Sequence, residues 1–186
     1  MRKLMASLIA VLCIAFNAFA QDGFGVVGGV TTSSTQIEDV NFDSITQYHV
    51  GLAYKSPNLF GFAVQPELCY NMKGTRSEIS DLKMGFVELG LQFQWGPDLV
   101  LFRPYVFVEP FMGYAVKNWV SNSQTNIWTN LKRTEAGMGI GGGVELFGAL
   151  QFSAKHFQNF GEITKDGFDG WSGNFGGWVF SLGLFF

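Results

Sequence analysis

The residues able to do chemistry recur at alternate positions. Gln65 and Glu67 are two apart; Glu88, Gln92 and Gln94 share a parity, as do Arg103, Tyr105 and Glu109. Arg133, Glu135 and Glu145 follow, then Gln151, Ser153 and Lys155. A period of two puts each set on one face of a β-strand. Carboxylates and bases on a shared inward face serve either as a proton or ion path or as a set of ion pairs. Burying a charge is costly unless it is paired. The pairing reading is carried forward: Glu67, Glu88, Glu109, Glu135 and Glu145 are expected to meet Arg103, Arg133 and Lys155 in one network.

Other chemistries find less support. The histidines are His49 and His156, on separate strands, so no zinc site is expected. Asp166-Gly-Phe-Asp169-Gly does not fit a calcium loop. Glu38, Asp39 and Asp43, with Glu162, Asp166 and Asp169, read as solvated loop charges. Trp119, Ile127, Trp128 and Trp171 mark either strands that outrun the membrane or a surface for a protein or glycan. Gly137, Gly139, Gly141 and Gly143 sit at strand period without a following Lys-Ser/Thr, so they are no phosphate loop. They are expected to clear space for Tyr105, Phe107 and Phe111. Lys155-His156-Phe157-Gln158-Asn159 is similar to the His-x-Ser-Asn segment of outer-membrane lipid A deacylases. Alternation turns His156 toward lipid, where such an enzyme needs it. Gln158 stands where the nucleophilic serine belongs, and an amide cannot attack an ester. Ser153 is on the opposite face, and Ser172 reaches only if its loop folds back. No catalytic residue, metal or cofactor is assigned, and a lipid A-modifying hydrolase using His156 stays as an alternative.

The elements that position these residues are strands. Alternation marks eight of them, at 23–32, 46–56, 60–73, 84–96, 101–117, 132–146, 149–158 and 174–186. Most reach the ~9–11 residues of a tilted membrane strand, beyond the ~5–6 usual in soluble sheets. Short connections are expected at Ser56-Pro57-Asn58-Leu59, around Gly96-Pro97-Asp98 and at Phe147-Gly148. Long polar ones fall at 33–45, 74–83, 118–131 and 159–173. Short turns at one end and long loops at the other are the layout of outer-membrane barrels. The faces opposite the charges are apolar: Val50 and Leu52, Val64 and Leu68, Leu89 and Phe93, Val106 and Met112, Phe180 and Leu182. Tyr48, Tyr54, Tyr70, Trp95, Tyr114 and Trp178 lie toward strand ends, as an interfacial aromatic girdle does. The fold expected is all-β, an eight-stranded antiparallel up-and-down transmembrane barrel. A soluble lipocalin-like ligand-binding barrel, with the two faces inverted, is the other alternative.

Composition agrees. Aromatics are 16% and charged residues 15% of the 186-residue chain, with 24 glycines and a net charge of −3. That excludes a disordered chain, a nucleic-acid footprint and a disulfide scaffold. Beyond residue 20 no apolar run approaches the ~20 residues of a membrane helix. Residues 1–20 read as a cleaved signal peptide: Arg2 and Lys3, the apolar stretch from Leu4 to Phe16, then Ala18-Phe19-Ala20. The barrel domain is then 21–186, with Cys69 as its single thiol, expected to be a small buried residue.

Gly61 to Tyr70, Lys73-Gly74, Phe86 to Leu91, Arg103-Pro104-Tyr105-Val106, Gly139 to Glu145 and the terminal aromatic strand resemble a family. It is the small outer-membrane β-barrel family of Bacteroidota, the PorT-like barrels. The resemblance implies a Gram-negative outer membrane, with lipid and lipopolysaccharide as surroundings. It also implies insertion by the barrel-assembly machinery, which would read the last strand and its terminal Phe186. An even strand number puts both termini on the periplasmic side. The function expected is non-enzymatic: a scaffold, or an accessory subunit of a larger envelope complex for secretion or assembly, using surface loops for interaction.

Overall fold

The computed structural model describes residues 23–36, 43–76, 81–99, 101–120, 133–160 and 174–186. The leader and its cleavage site lie outside the described residues, as do Ser172 and the loop residues Glu38, Asp39, Ile127, Trp128, Glu162, Asp166, Asp169 and Trp171.

The strands are β1 (Gly23–Gln36), β2 (Asp43–Lys55), β3 (Phe62–Arg76) and β4 (Asp81–Trp95), then β5 (Phe102–Val120), β6 (Thr134–Leu146), β7 (Leu150–Phe160) and β8 (Asn174–Phe185). Each pairs antiparallel with the next, and β8 pairs with β1, so the sheet closes into a barrel. Closure leaves no strand at an open edge of the sheet, as a lipid environment requires. Among the described residues no helix is long and apolar enough to cross a membrane.

All eight expected strands occur, and most run further at the loop end than the alternation indicated. β1 continues through Ser33, Ser34, Thr35 and Gln36, and β5 carries its backbone through Trp119 to Val120. The reason is physical. Toward the loop end the outward face leaves lipid, so apolar alternation stops while the hydrogen-bonded ladder continues, and inward positions there such as Ser33, Ile45 and Asn159 stay buried.

The turns correct two expectations. The β2–β3 hairpin does not turn at Ser56-Pro57-Asn58-Leu59. It closes at Leu59 and Phe62, which exchange both backbone hydrogen bonds at 2.8 and 2.9 Å around Phe60-Gly61. Phe60 and Gly61 both have positive φ, 53° and 88°, as a two-residue type I′ turn requires. Gly96-Pro97-Asp98 likewise precedes the true tip, because Leu99 and Phe102 pair beyond it. In both cases a proline, lacking an N–H, interrupts the ladder before the hairpin closes. Phe147-Gly148 turns where expected, again with positive φ at both residues, 55° and 70°.

The faces follow the membrane assignment, not the inverted soluble one. Val50, Leu52, Leu68, Leu89, Phe93, Val106, Met112, Ile140, Phe180 and Leu182 are exposed on the outside. Buried inward positions carry Gln65, Gln92, Gln94, Arg103, Glu109, Glu145 and Gln151.

The glycine row of β6 does what its spacing suggested. Phe111 pairs with Gly137, Phe107 with Gly141 and Tyr105 with Gly143. A methyl group on Gly141 would lie 2.7 Å from Phe107 Cζ, and one on Gly143 would lie 2.5 Å from the Tyr105 hydroxyl. At Gly139 the neighbour is instead Lys155 Cδ, at 2.7 Å. The absent side chains are the space the aromatic rings of β5 occupy.

Gly141→Val should therefore destabilise the barrel by about 1–3 kcal/mol through overpacking. Gly28→Ala, where the added carbon meets nothing closer than 3.4 Å, should change stability by less than about 0.5 kcal/mol. Urea unfolding of vesicle-refolded protein, followed by the heat-modifiable gel band, checks both.

Candidate functional site

The inward side chains form a polar column from one end of the barrel to the other. At the loop end Lys73 of β3 projects inward, with its side chain 1% exposed. Its ammonium lies 2.9 Å from Glu88 of β4 and 2.9 Å from Glu135 of β6, which stands across the lumen. The same ammonium sits 4.6 Å from the ring centres of Phe111 and Phe157, and 5.4 Å from that of Phe86. Those rings belong to an apolar cluster with Met84, Ala115, Phe175 and Val179. Asn159 donates to Glu135, and Asn71 donates to Glu88 at 3.1 Å. Thr31 donates to Asn71 at 2.8 Å. His49 contacts Thr31 at 3.3 Å through Nδ1 and Ser181 at 3.0 Å through Nε2.

Midway, Lys155 Nζ meets Glu109 Oε1 at 2.5 Å. Next to them a cavity of about 20 Å³ is lined by His49, Glu67, Cys69, Glu109, Lys155 and Ser181 among others. That is room for about one water molecule. Below it Gln65, Gln92, Gln94 and Gln151 bond to one another and to Glu67, which accepts from Gln65 at 2.7 Å and from Gln92 at 2.9 Å.

At the turn end Lys55 Nζ meets Glu145 at 2.6 Å, and Arg103 Nη1 lies 3.7 Å from the same carboxylate. Arg103 also donates to Gln94 at 3.0 Å and to the Gly61 carbonyl at 3.1 Å. Lys55 donates to the Gly148 carbonyl at 3.1 Å and lies 5.4 Å from the Phe185 ring. Phe185 packs with Val27, Ala53 and the half-buried Cys69.

Seven of the eight expected network residues are thus brought into the lumen: Glu67, Glu88, Arg103, Glu109, Glu135, Glu145 and Lys155. Arg133 is not among them. β6 begins at Thr134, and Arg133 precedes it as an exposed residue. Alternation gave Arg133 the inward parity, but parity holds only within the strand. Glu67 is satisfied by amides and not by a base. The cations missed were Lys55 and Lys73. The signal for them was present: Lys55 shares parity with His49 and Ala53, and Lys73 with Gln65, Glu67 and Asn71.

Outside, Tyr48, Tyr54, Trp95, Tyr114 and Trp178 are exposed, and Tyr70 is half-buried. Tyr48 and Tyr70 lie 6.5 Å apart, and Phe24 and Tyr54 lie 5.1 Å apart. His156 is outward and edge-on to Trp178, with ring centres 5.2 Å apart. Gln158 is exposed two positions on, and Ser153 has the inward parity. No serine therefore accompanies His156 on its face of β7. Among the described residues no group of His, Cys, Asp and Glu is arranged to hold a metal ion. Phe186 closes the chain with its N–H donated to the Phe24 carbonyl at 2.9 Å.

A charged lumen inside an apolar belt of eight strands is the design of a small membrane barrel, and the family model of the outer membrane protein beta-barrel domain matches residues 19–165. The chain belongs to that family. Among solved structures this outer-membrane barrel is similar to Neisserial surface protein A, at 13% identity and TM-score 0.53, over 88% of this chain and 97% of that one. It is similar also to Ail, the attachment invasion locus protein of Yersinia pestis, at 11% identity and TM-score 0.50, over 89% of this chain and 99% of that one. These likenesses are of fold. No curated protein matches the sequence significantly.

Lys73 holds two buried carboxylates of the outer-membrane barrel, Glu88 and Glu135, at 2.9 Å each. Lys73→Met leaves Glu88 and Glu135 buried together without a base, and should cost about 3–5 kcal/mol of stability. The triple variant Lys73→Met, Glu88→Gln, Glu135→Gln removes the charges together and should recover most of that loss, as read from urea midpoints.

Proposed function

We propose that this outer-membrane barrel is non-enzymatic and acts as a scaffold or accessory subunit of an envelope complex for secretion or assembly, through its surface loops. The observation that carries this reading is the filled lumen. Ion pairs, amides and aromatic rings occupy it from Lys73 to Lys55, and the cavity among them has room for about one water. A barrel packed in this way among its described residues offers other molecules its lipid face and its strand ends. The connections at 121–133 and 161–173 are the longest between strands and join them at the end opposite the tight turns. The reading includes a leader cleaved after Ala20 and a barrel inserted by the assembly machinery through the last strand and Phe186. Lipopolysaccharide surrounds the barrel, both termini are periplasmic, and the finer kinship is with the PorT-like barrels of Bacteroidota.

Photo-crosslinking residues placed within 121–132 and 161–173, in cells of the source, test the reading. The expected result is a discrete high-mass adduct containing the same protein partner from both segments. Only uncrosslinked barrel, together with lipid A of altered mass on overexpression, would replace this reading with the hydrolase. In planar bilayers the purified protein should give no stepwise ion conductance.

A further inference from the structure

Two of the hairpin turns are built alike, and neither the ion-pair column nor a scaffold role calls for the likeness. In each, a phenylalanine is followed by glycine: Phe60-Gly61 between β2 and β3, and Phe147-Gly148 between β6 and β7. In each the phenylalanine takes a positive φ, 53° and 55°. Asn, Asp and Gly adopt that conformation easily, and a bulky residue does not. In each the glycine carbonyl is held from inside the lumen by a buried cation at 3.1 Å, Arg103 for Gly61 and Lys55 for Gly148. Both phenyl groups are therefore carried outward on turns braced from within. Phe60 is 101% exposed and Phe147 is 62% exposed.

Their surroundings name the occupant. Leu59, Leu99, Leu101 and Phe102, on the same rim, are also exposed. Directly above the rim the lipid-facing belt begins with Phe62 and Trp95, 6.4 Å apart. The apolar surface of the belt thus extends onto the turns, where it meets a polar pair, Asn58 donating to the exposed Asp98 at 3.2 Å. The two cations near this end, Lys55 and Arg103, are turned inward, where they share the carboxylate of Glu145 and present no ammonium or guanidinium to the outer surface. Aromatic side chains favour the boundary between headgroups and acyl chains.

We propose that Phe60 and Phe147 are membrane anchors, seated in the headgroup–acyl boundary of the leaflet on the turn side, and that the tight turns dip into lipid rather than standing in water. The inference rests on the outer-membrane placement and is independent of any scaffold role. A protein seated on the rim is the competing occupant.

Phe60→Trp and Phe147→Trp, made singly and refolded into phosphatidylcholine vesicles, report the depth directly after subtraction of the wild-type emission. The expected added emission is blue-shifted and quenched by lipids brominated near the headgroup. It should be little affected by iodide supplied on both sides of the bilayer. Red-shifted emission quenched by iodide would overturn the proposal. A second variant gives an opposite sign for the two accounts. Phe60→Asn with Phe147→Asn suits the turn better, so turn preference alone raises the urea midpoint of vesicle-inserted protein. Loss of the anchors lowers it. A midpoint that is unchanged or raised overturns the proposal.

Discussion

Gly25 through Gln36 of β1 pair with Phe185 back through Asn174 of β8, and that seam leaves the sheet without an edge. A sheet in lipid has no water to satisfy an open strand, so closure is obligatory. Closing with only eight strands makes the interior narrow enough for side chains to fill. Every inward residue must then be both accommodated and satisfied. The ion pairs, the glutamine layer and the glycine row are three answers to that single requirement. The outward residues carry no such burden, which is why they are varied aliphatics and aromatics whose contacts are apolar and between rings.

Several of the polar contacts in the lumen tie non-adjacent strands together across it. Lys55 of β2 reaches Glu145 of β6, and Lys73 of β3 reaches Glu135 of β6. Gln65 of β3 reaches Gln151 of β7. Neighbouring strands are already joined by backbone hydrogen bonds, so these side chains brace pairs of strands that the ladder leaves unconnected. Replacing buried ion pairs by apolar residues often stabilises a soluble protein. Here an apolar lumen would make both faces of every strand alike, and the alternation that distinguishes inside from outside would be lost.

Much of this was legible in the amino-acid order. Strand number, facing and the glycine clearance follow from a period of two, because lipid and a narrow lumen make opposite demands on successive residues. Seven lumenal residues were found by the same parity. Arg133 was misplaced because parity says nothing about where a strand starts. Lys55 and Lys73 were passed over because they sit at strand ends, where an inward cation and a solvated one look alike in sequence. The true tips at Phe60-Gly61 and beyond Leu99 were hidden by Pro57 and Pro97, which attract the turn assignment although pairing resumes after them.

The clearance between β5 and β6 binds the histories of six positions. Residues 105 and 143, 107 and 141, and 111 and 137 share three fixed volumes, each held by one aromatic ring and one bare backbone. A side chain at 137, 141 or 143 would meet both that ring and a backbone carbonyl of β7, from Gln158, Ala154 or Phe152, so shrinking the ring alone does not admit it. A smaller side chain in place of one of these rings would leave a void rather than room on β6, so lineages descending from this barrel should keep glycine at 137, 141 and 143 even where the facing residue of β5 changes.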